Sequence, residues 1–156
     1  MNNRGFTLLE LIIVIAIIGI MTSVTLVYLG DSRKDRELEV AAREVAAAVR
    51  EAQNNALTGK NASSTCNSYV FTYGGSNYSV SNNSGCSNPP IQYTLKNKVT
   101  FQNSGSFSFS IPFGVLSPNN NTVITLQNQT STTIKTINVC VYPPGRVEEK
   151  RIGEGC

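Results

Sequence analysis

Histidine and tryptophan are both absent from this 156-residue chain. Without histidine there is no Ser-His or Cys-His nucleophile pair and no His-metal cluster, which removes most hydrolase and zinc chemistry. The chain is therefore read as a non-enzyme with no cofactor. Charge is scarce as well: charged residues make up 15%, against ~25% in a typical soluble chain. A net charge of +3 is too small to mark a nucleic-acid binder by itself. Asn, Ser, Thr and Gly fill the places that charge leaves. The length suits one ordinary domain with a core of its own.

The missing charge is unevenly distributed. From Phe6 to Gly30 the one charged side chain is Glu10, whereas Asp31 to Glu51 is dense in Asp, Glu, Lys and Arg. From Asn61 to Ile134 only Lys96 and Lys98 are charged. Phe6 to Leu29 is rich in Val, Ile and Leu and free of Pro. It is long enough to cross a bilayer, whose ~30 Å hydrocarbon core takes ~20 residues of helix. A secretory signal peptide has a shorter apolar core and a small-residue cleavage site beyond it, and neither is present. A plain membrane anchor leaves Glu10 unexplained, because a carboxylate in hydrocarbon is costly and is usually paired or functional.

Around that acid, Arg4-Gly5-Phe6-Thr7-Leu8-Leu9-Glu10 resembles the prepilin cleavage and methylation motif of type IV pilins and type II secretion pseudopilins. The resemblance implies that a prepilin peptidase cuts after Gly5 and leaves Phe6 as an N-methylated amino terminus. It also implies that Glu10 faces the terminal amine of a neighbouring subunit in the fibre. A buried carboxylate is tolerated beside such a cation and destabilising without it. Phe6 and Glu10 are four apart, so the pairing can also form within one chain before assembly. The proline that pilins commonly carry several residues after the glycine matching Gly19 has no counterpart between Met21 and Leu29. Arg33, Lys34, Arg36 and Arg43 follow the span while Arg4 precedes it, which by the positive-inside tendency would turn the carboxyl-terminal part into the cytoplasm. The leader motif outweighs that count. It puts the amino end beside the peptidase and the rest outside the cytoplasm, as a single-pass protein of the cytoplasmic (inner) membrane and then of a pilus or pseudopilus.

From Asp35 to Leu57, Leu38, Ala41, Ala42, Val45, Ala48, Val49, Ala52 and Ala56 recur at helical spacing, with the charges largely elsewhere. Gly30-Asp31-Ser32 suits either a cap or a mild interruption; the family pattern favours one rod from Phe6 to about Thr58. Beyond Lys60 the period becomes two. Ser106 to Phe113 alternates throughout, and Tyr69–Tyr73, Tyr78–Val80, Ile91–Leu95, Val99–Phe101, Thr122–Leu126 and Thr133–Tyr142 read as further strands. Gly74-Gly75, Asn82–Gly85, Ser117–Asn120 and Pro143-Pro144-Gly145 supply turns. The fold expected is α+β: a long amino-terminal helix packed on a mostly antiparallel sheet. Its parts are a leader at 1–5, an apolar helix at 6–29, an amphipathic helix at 30–59 and a sheet domain at 60–156.

Cys66, Cys86, Cys140 and Cys156 are an even number in an apparently exported domain, which suggests two disulfides with three connectivities. The local pairs Cys66–Cys86 and Cys140–Cys156 are favoured, and no CxxC spacing supports a metal site. The second pairing would resemble the carboxyl-terminal disulfide loop of type IV pilins. The helix around Ala41–Val45 and Arg50–Ala56, with Val139-Cys140-Val141 and Gly145-Arg146-Val147, resembles FimT- and GspH-like minor pilins; a major pilin is the alternative. Some of that group bind DNA near the Gly-Arg turn, which makes Arg146, Lys150 and Arg151 candidate nucleic-acid contacts. Glu148, Glu149 and Glu154 interleave them, and phosphate binding needs uncompensated cations, so a solvated loop is favoured over a DNA site. The reading is of a structural subunit of a pilus or pseudopilus, with a DNA-uptake minor pilin and a plain signal-anchored surface protein as alternatives. Its partners would be the prepilin peptidase, other pilin or pseudopilin subunits, the membrane assembly platform and, before assembly, membrane lipid.

Overall fold

The structure, a computed structural model, describes residues 7–63, 65–83, 86, 89–129 and 134–156, and their side chains except at 24–31. One helix, α1, runs Leu8–Leu57 over 50 residues, about 75 Å at ~1.5 Å per residue. It continues through Gly30-Asp31-Ser32 without a break, in line with the absence of proline. The helix ends where Gly59 takes φ +63°, the left-handed residue that commonly stops a helix. There the Thr58 and Lys60 N–H groups donate to Asn54 and Asn55 carbonyls.

Among the described residues nine strands follow: β1 Ser68–Gly74, β2 Asn77–Asn82, β3 Ile91–Thr94, β4 Thr100–Phe101, β5 Gly105–Ser110, β6 Leu116–Ser117, β7 Thr122–Gln129, β8 Ile134–Val141 and β9 Val147–Glu149. They form two sheets, ordered β3-β2-β1-β5-β6 and β4-β7-β8-β9, and every pairing is antiparallel. Alternation explains the inner face of the first sheet. Tyr69, Phe71 and Tyr73 point inward from β1 and meet Phe107 and Phe109 of β5, with Phe71 opposite Phe107 and stacked at 5.3 Å. Phe101 of the second sheet lies 5.4 Å from Tyr73 and 6.1 Å from Tyr78, ring to ring, which joins the two sheets.

The second half of α1 lies across both sheets. Its buried face is Leu38, Ala41, Ala42, Val45, Ala46, Ala48, Val49, Ala52 and Ala56, the face that helical spacing marks out with Ala46 added to it. Six of those nine are alanine, and short side chains let strand backbones come close. Ile137, Val139 and Val141 of β8 share the opposing face as expected. The alternating run at Ser106–Phe113 is shorter than its pattern: β5 stops at Ser110, and 111–113 form a turn. There the Gly114 N–H donates to the Ser110 carbonyl at 2.7 Å. Pro112 has no N–H for a ladder, and Phe113, the last member of the run, is 73% exposed. The short strands β6 and β9 had no period of their own to announce them.

Candidate functional site

The first half of α1 stands clear of the sheets. Thr7 caps it with extended backbone, φ −80° and ψ 150°, and its Oγ1 accepts the Glu10 N–H at 3.3 Å. That places Glu10 in the first turn, where the positive end of the helix dipole favours a carboxylate. The Thr7-x-x-Glu10 spacing is that of a capping box, a signal present in the sequence apart from the cleavage motif. Among the described residues no cation pairs with Glu10. Gly5 and Phe6, the expected cleavage and methylation positions, lie outside the described residues.

Every residue from Leu8 to Ser23 is exposed, Leu8 at 77% and Met21 at 70%. Apolar side chains cover the whole circumference, not one stripe. A helix apolar all round requires an apolar environment on every side. Its two hydroxyls at Thr22 and Ser23 are satisfied within the helix, donating back to the Ile18 and Ile20 carbonyls at 2.6 and 2.7 Å. Residues 1–26 match the family model for the prokaryotic N-terminal methylation motif. The amino terminus carries a type IV pilin-like prepilin motif. A prepilin motif implies processing by a peptidase and assembly with other pilin subunits. No curated protein matches the chain, and no solved structure does. Among the described residues no helix is long and apolar enough to cross a membrane. The span expected at 6–29 runs past Ser23 into residues whose side chains lie outside the description.

Among the described residues, side-chain ties hold the second half of α1 to the sheets. Lys135 Nζ lies 2.7 Å from the Asp35 carboxylate. Arg50 Nη2 donates to Glu149 Oε1 and to the Val147 carbonyl, each at 3.1 Å. The Tyr93 hydroxyl donates to Glu51 Oε2 at 3.3 Å. None of these pairs is legible in the sequence, because their members lie on different elements.

At the carboxyl-terminal end, Glu148 sits between two of the three candidate DNA-contacting cations. Its Oε1 is 3.1 Å from Arg146 Nη1 and its Oε2 is 3.1 Å from Lys150 Nζ. The Lys150 hydrogen bond, then the Arg146 and Lys150 charges, hold the Glu148 carboxyl below the usual range against some desolvation. The same contact raises Lys150. Arg146 also lies over the Tyr142 ring, 4.3 Å from its centre. The Arg151 backbone N–H donates to Glu154 Oε2 at 3.2 Å. Both local disulfides are present: Cys66–Cys86 with Cα atoms 5.3 Å apart and Cys140–Cys156 at 5.7 Å. The second ties the tail to β8, beside backbone bonds from Lys150 to Asn138 and from Gly153 to Thr136.

Proposed function

We propose that the chain is a structural, non-catalytic subunit of a type IV pilus or type II secretion pseudopilus, a minor component of FimT- or GspH-like type. It is cleaved after Gly5, N-methylated at Phe6 and held in the inner membrane by residues 6–29, with the sheet domain outside the cytoplasm. It then enters the fibre through its helix on the assembly platform. The observation that carries this reading is one unbroken helix whose all-round apolar half bears a lone acid, Glu10, within a matched prepilin motif. Outside lipid that half needs other apolar helices around it, and Glu10 needs a cation, which a neighbour's terminal amine supplies. Glu148 compensates Arg146 and Lys150, which argues against a DNA-uptake role at the Gly-Arg turn.

Two measurements test the proposal. Mass spectrometry of the mature protein should find a methylated Phe6 as the first residue; an intact Met1 leader returns the chain to a plain anchor. Fibres from cells expressing Glu10→Leu should contain at least tenfold less of this subunit than wild type, corresponding to ~1.4 kcal/mol or more per subunit added. Equal incorporation would remove the charge-pairing mechanism.

A further inference from the structure

Among the described residues each sheet has two edge strands, and three of the four edges are guarded. β4 and β6 are two residues long. Each gives an N–H to another segment: Phe101 donates to the Gly75 carbonyl at 2.8 Å and Leu116 to the Pro143 carbonyl at 3.4 Å. β9 carries Glu148 and Glu149, with Arg146 and Lys150 on either side. Shortness and charge are the usual means of keeping a foreign strand off an edge. β3 has neither a charge nor a proline in its four residues.

The ladder decides which backbone groups of β3 are open. The Leu95 N–H donates to the Ser76 carbonyl at 2.8 Å, directly across the continued β2–β3 register. Bonded positions recur at every second residue of an antiparallel pair. Ile91 and Tyr93 therefore bond to β2, while Gln92 and Thr94 turn their N–H and C=O groups outward. Both of these residues are exposed, and among the described residues neither makes a backbone bond on that side.

Between this edge and α1 lies a groove of about 640 Å³, lined by Glu44, Ala47 and Glu51 of the helix and by Tyr93 and Lys96, among others. A strand added to β3 would set the side chain opposite Tyr93 on the face that Tyr93 uses. That face turns to α1, where the Tyr93 hydroxyl reaches Glu51 Oε2 at 3.3 Å. Glu44 stands two turns before Glu51, about 10 Å along the helix, with the short Ala47 between them. Neither carboxylate has a Lys or Arg partner among the described residues, Lys96 included.

We infer that the β3 edge takes up an extended segment of a partner protein as an added strand, with a Lys or Arg of that segment opposite Tyr93 and between Glu44 and Glu51. Main-chain bonds to Gln92 and Thr94 supply the hold, and the cation supplies the selection. A second copy offering its own β3 brings no cation to that point, so the occupant is a segment of another protein. The inference goes beyond the pilin reading and stands apart from it.

The test uses the full chain in detergent micelles and a blocked heptapeptide that alternates threonine and valine around a central arginine. Hydrogen exchange at the Gln92 and Thr94 amides, fast in the free chain, should slow at least tenfold at saturating peptide, as amides do on becoming bonded. Gln92→Pro removes an outward N–H and leaves the ladder to β2 intact. Followed at the Thr94 amide, it should need at least tenfold more peptide for half-saturation. Glu44→Gln should need about threefold more, one exposed ion pair's share. Unchanged exchange, or Gln92→Pro titrating as wild type does, would overturn strand addition. A Glu44→Gln titration equal to wild type, or equal binding of a heptapeptide with glutamate at its centre, would overturn the basic partner. Exchange that slows with rising protein concentration in the absence of peptide would assign the edge to a second copy and overturn the foreign segment. Every readout is taken without cleavage at Gly5 or fibre assembly, so failure here leaves the pilin reading standing.

Discussion

Tyr78 shows how the core uses a polar tip. Its ring is buried, stacked at 5.0 Å on Tyr93 and edge-on to Phe101. Burial first, and then the Glu44 carboxylate and Tyr93, push its hydroxyl up to about 12 from 10.0. The folded state therefore holds the proton more tightly than the unfolded chain does. The contribution is fully present below pH 10 and is lost as pH rises from 10 towards 12. Stability should fall across that window in wild type and fall less in Tyr78→Phe, read as urea midpoints at successive pH values. Parallel curves for the two proteins would assign the alkaline loss to other groups. A tyrosine in an alternating strand is legible as a core residue, but the acid above it is not, because Glu44 comes from a helix thirty-four positions earlier.

Elements meet through close approaches that period alone does not reveal. Gly145 holds φ +84° at the turn after β8, and a methyl group there would run into the Gln53 amide of α1. Gly114 holds φ +61°, and its methyl would stand 2.7 Å from Leu57 Cγ. Two loops therefore close on the last turns of the helix. Gly153 has a similar φ, +82°, but open space around it. Gly153→Ala should cost about 1–2 kcal/mol for the left-handed backbone alone, and Gly145→Ala about 1 kcal/mol or more beyond that. Equal urea midpoints for the two variants would show that the approach to Gln53 contributes nothing. In the sequence Gly145 marks a turn beside Arg146, but its contact with Gln53 of the helix leaves no local trace. The run Ser106–Phe113 errs in the opposite direction, since its alternation continues through a proline into a turn where no partner strand lies opposite.

At the scale of the molecule, the helix limits, seven of the nine strands and both disulfide pairings were legible. Each leaves a local trace: a period, a glycine, or a pair of cysteines close in sequence. The division into two sheets was not, nor were ties such as Asp35 to Lys135, 100 residues apart in sequence, and Arg50 to Glu149, 99 apart. Closing the carboxyl-terminal loop, with its separation of 16, is worth about 3 kcal/mol in the chain-entropy account. Cys156→Ser should lose roughly 2–4 kcal/mol and speed amide exchange at Lys150 and Gly153 while leaving β1 protected. Unchanged exchange at those amides would mean that the backbone bonds alone hold the tail. The ties along α1 have a mechanical side. They sit at Asp35 near one end of the gripped half and at Arg50 and Glu51 near the other, with the alanine seam between them. A pull on the free half along its axis therefore loads seam and ties side by side, in shear, so that they resist together instead of peeling open one after another.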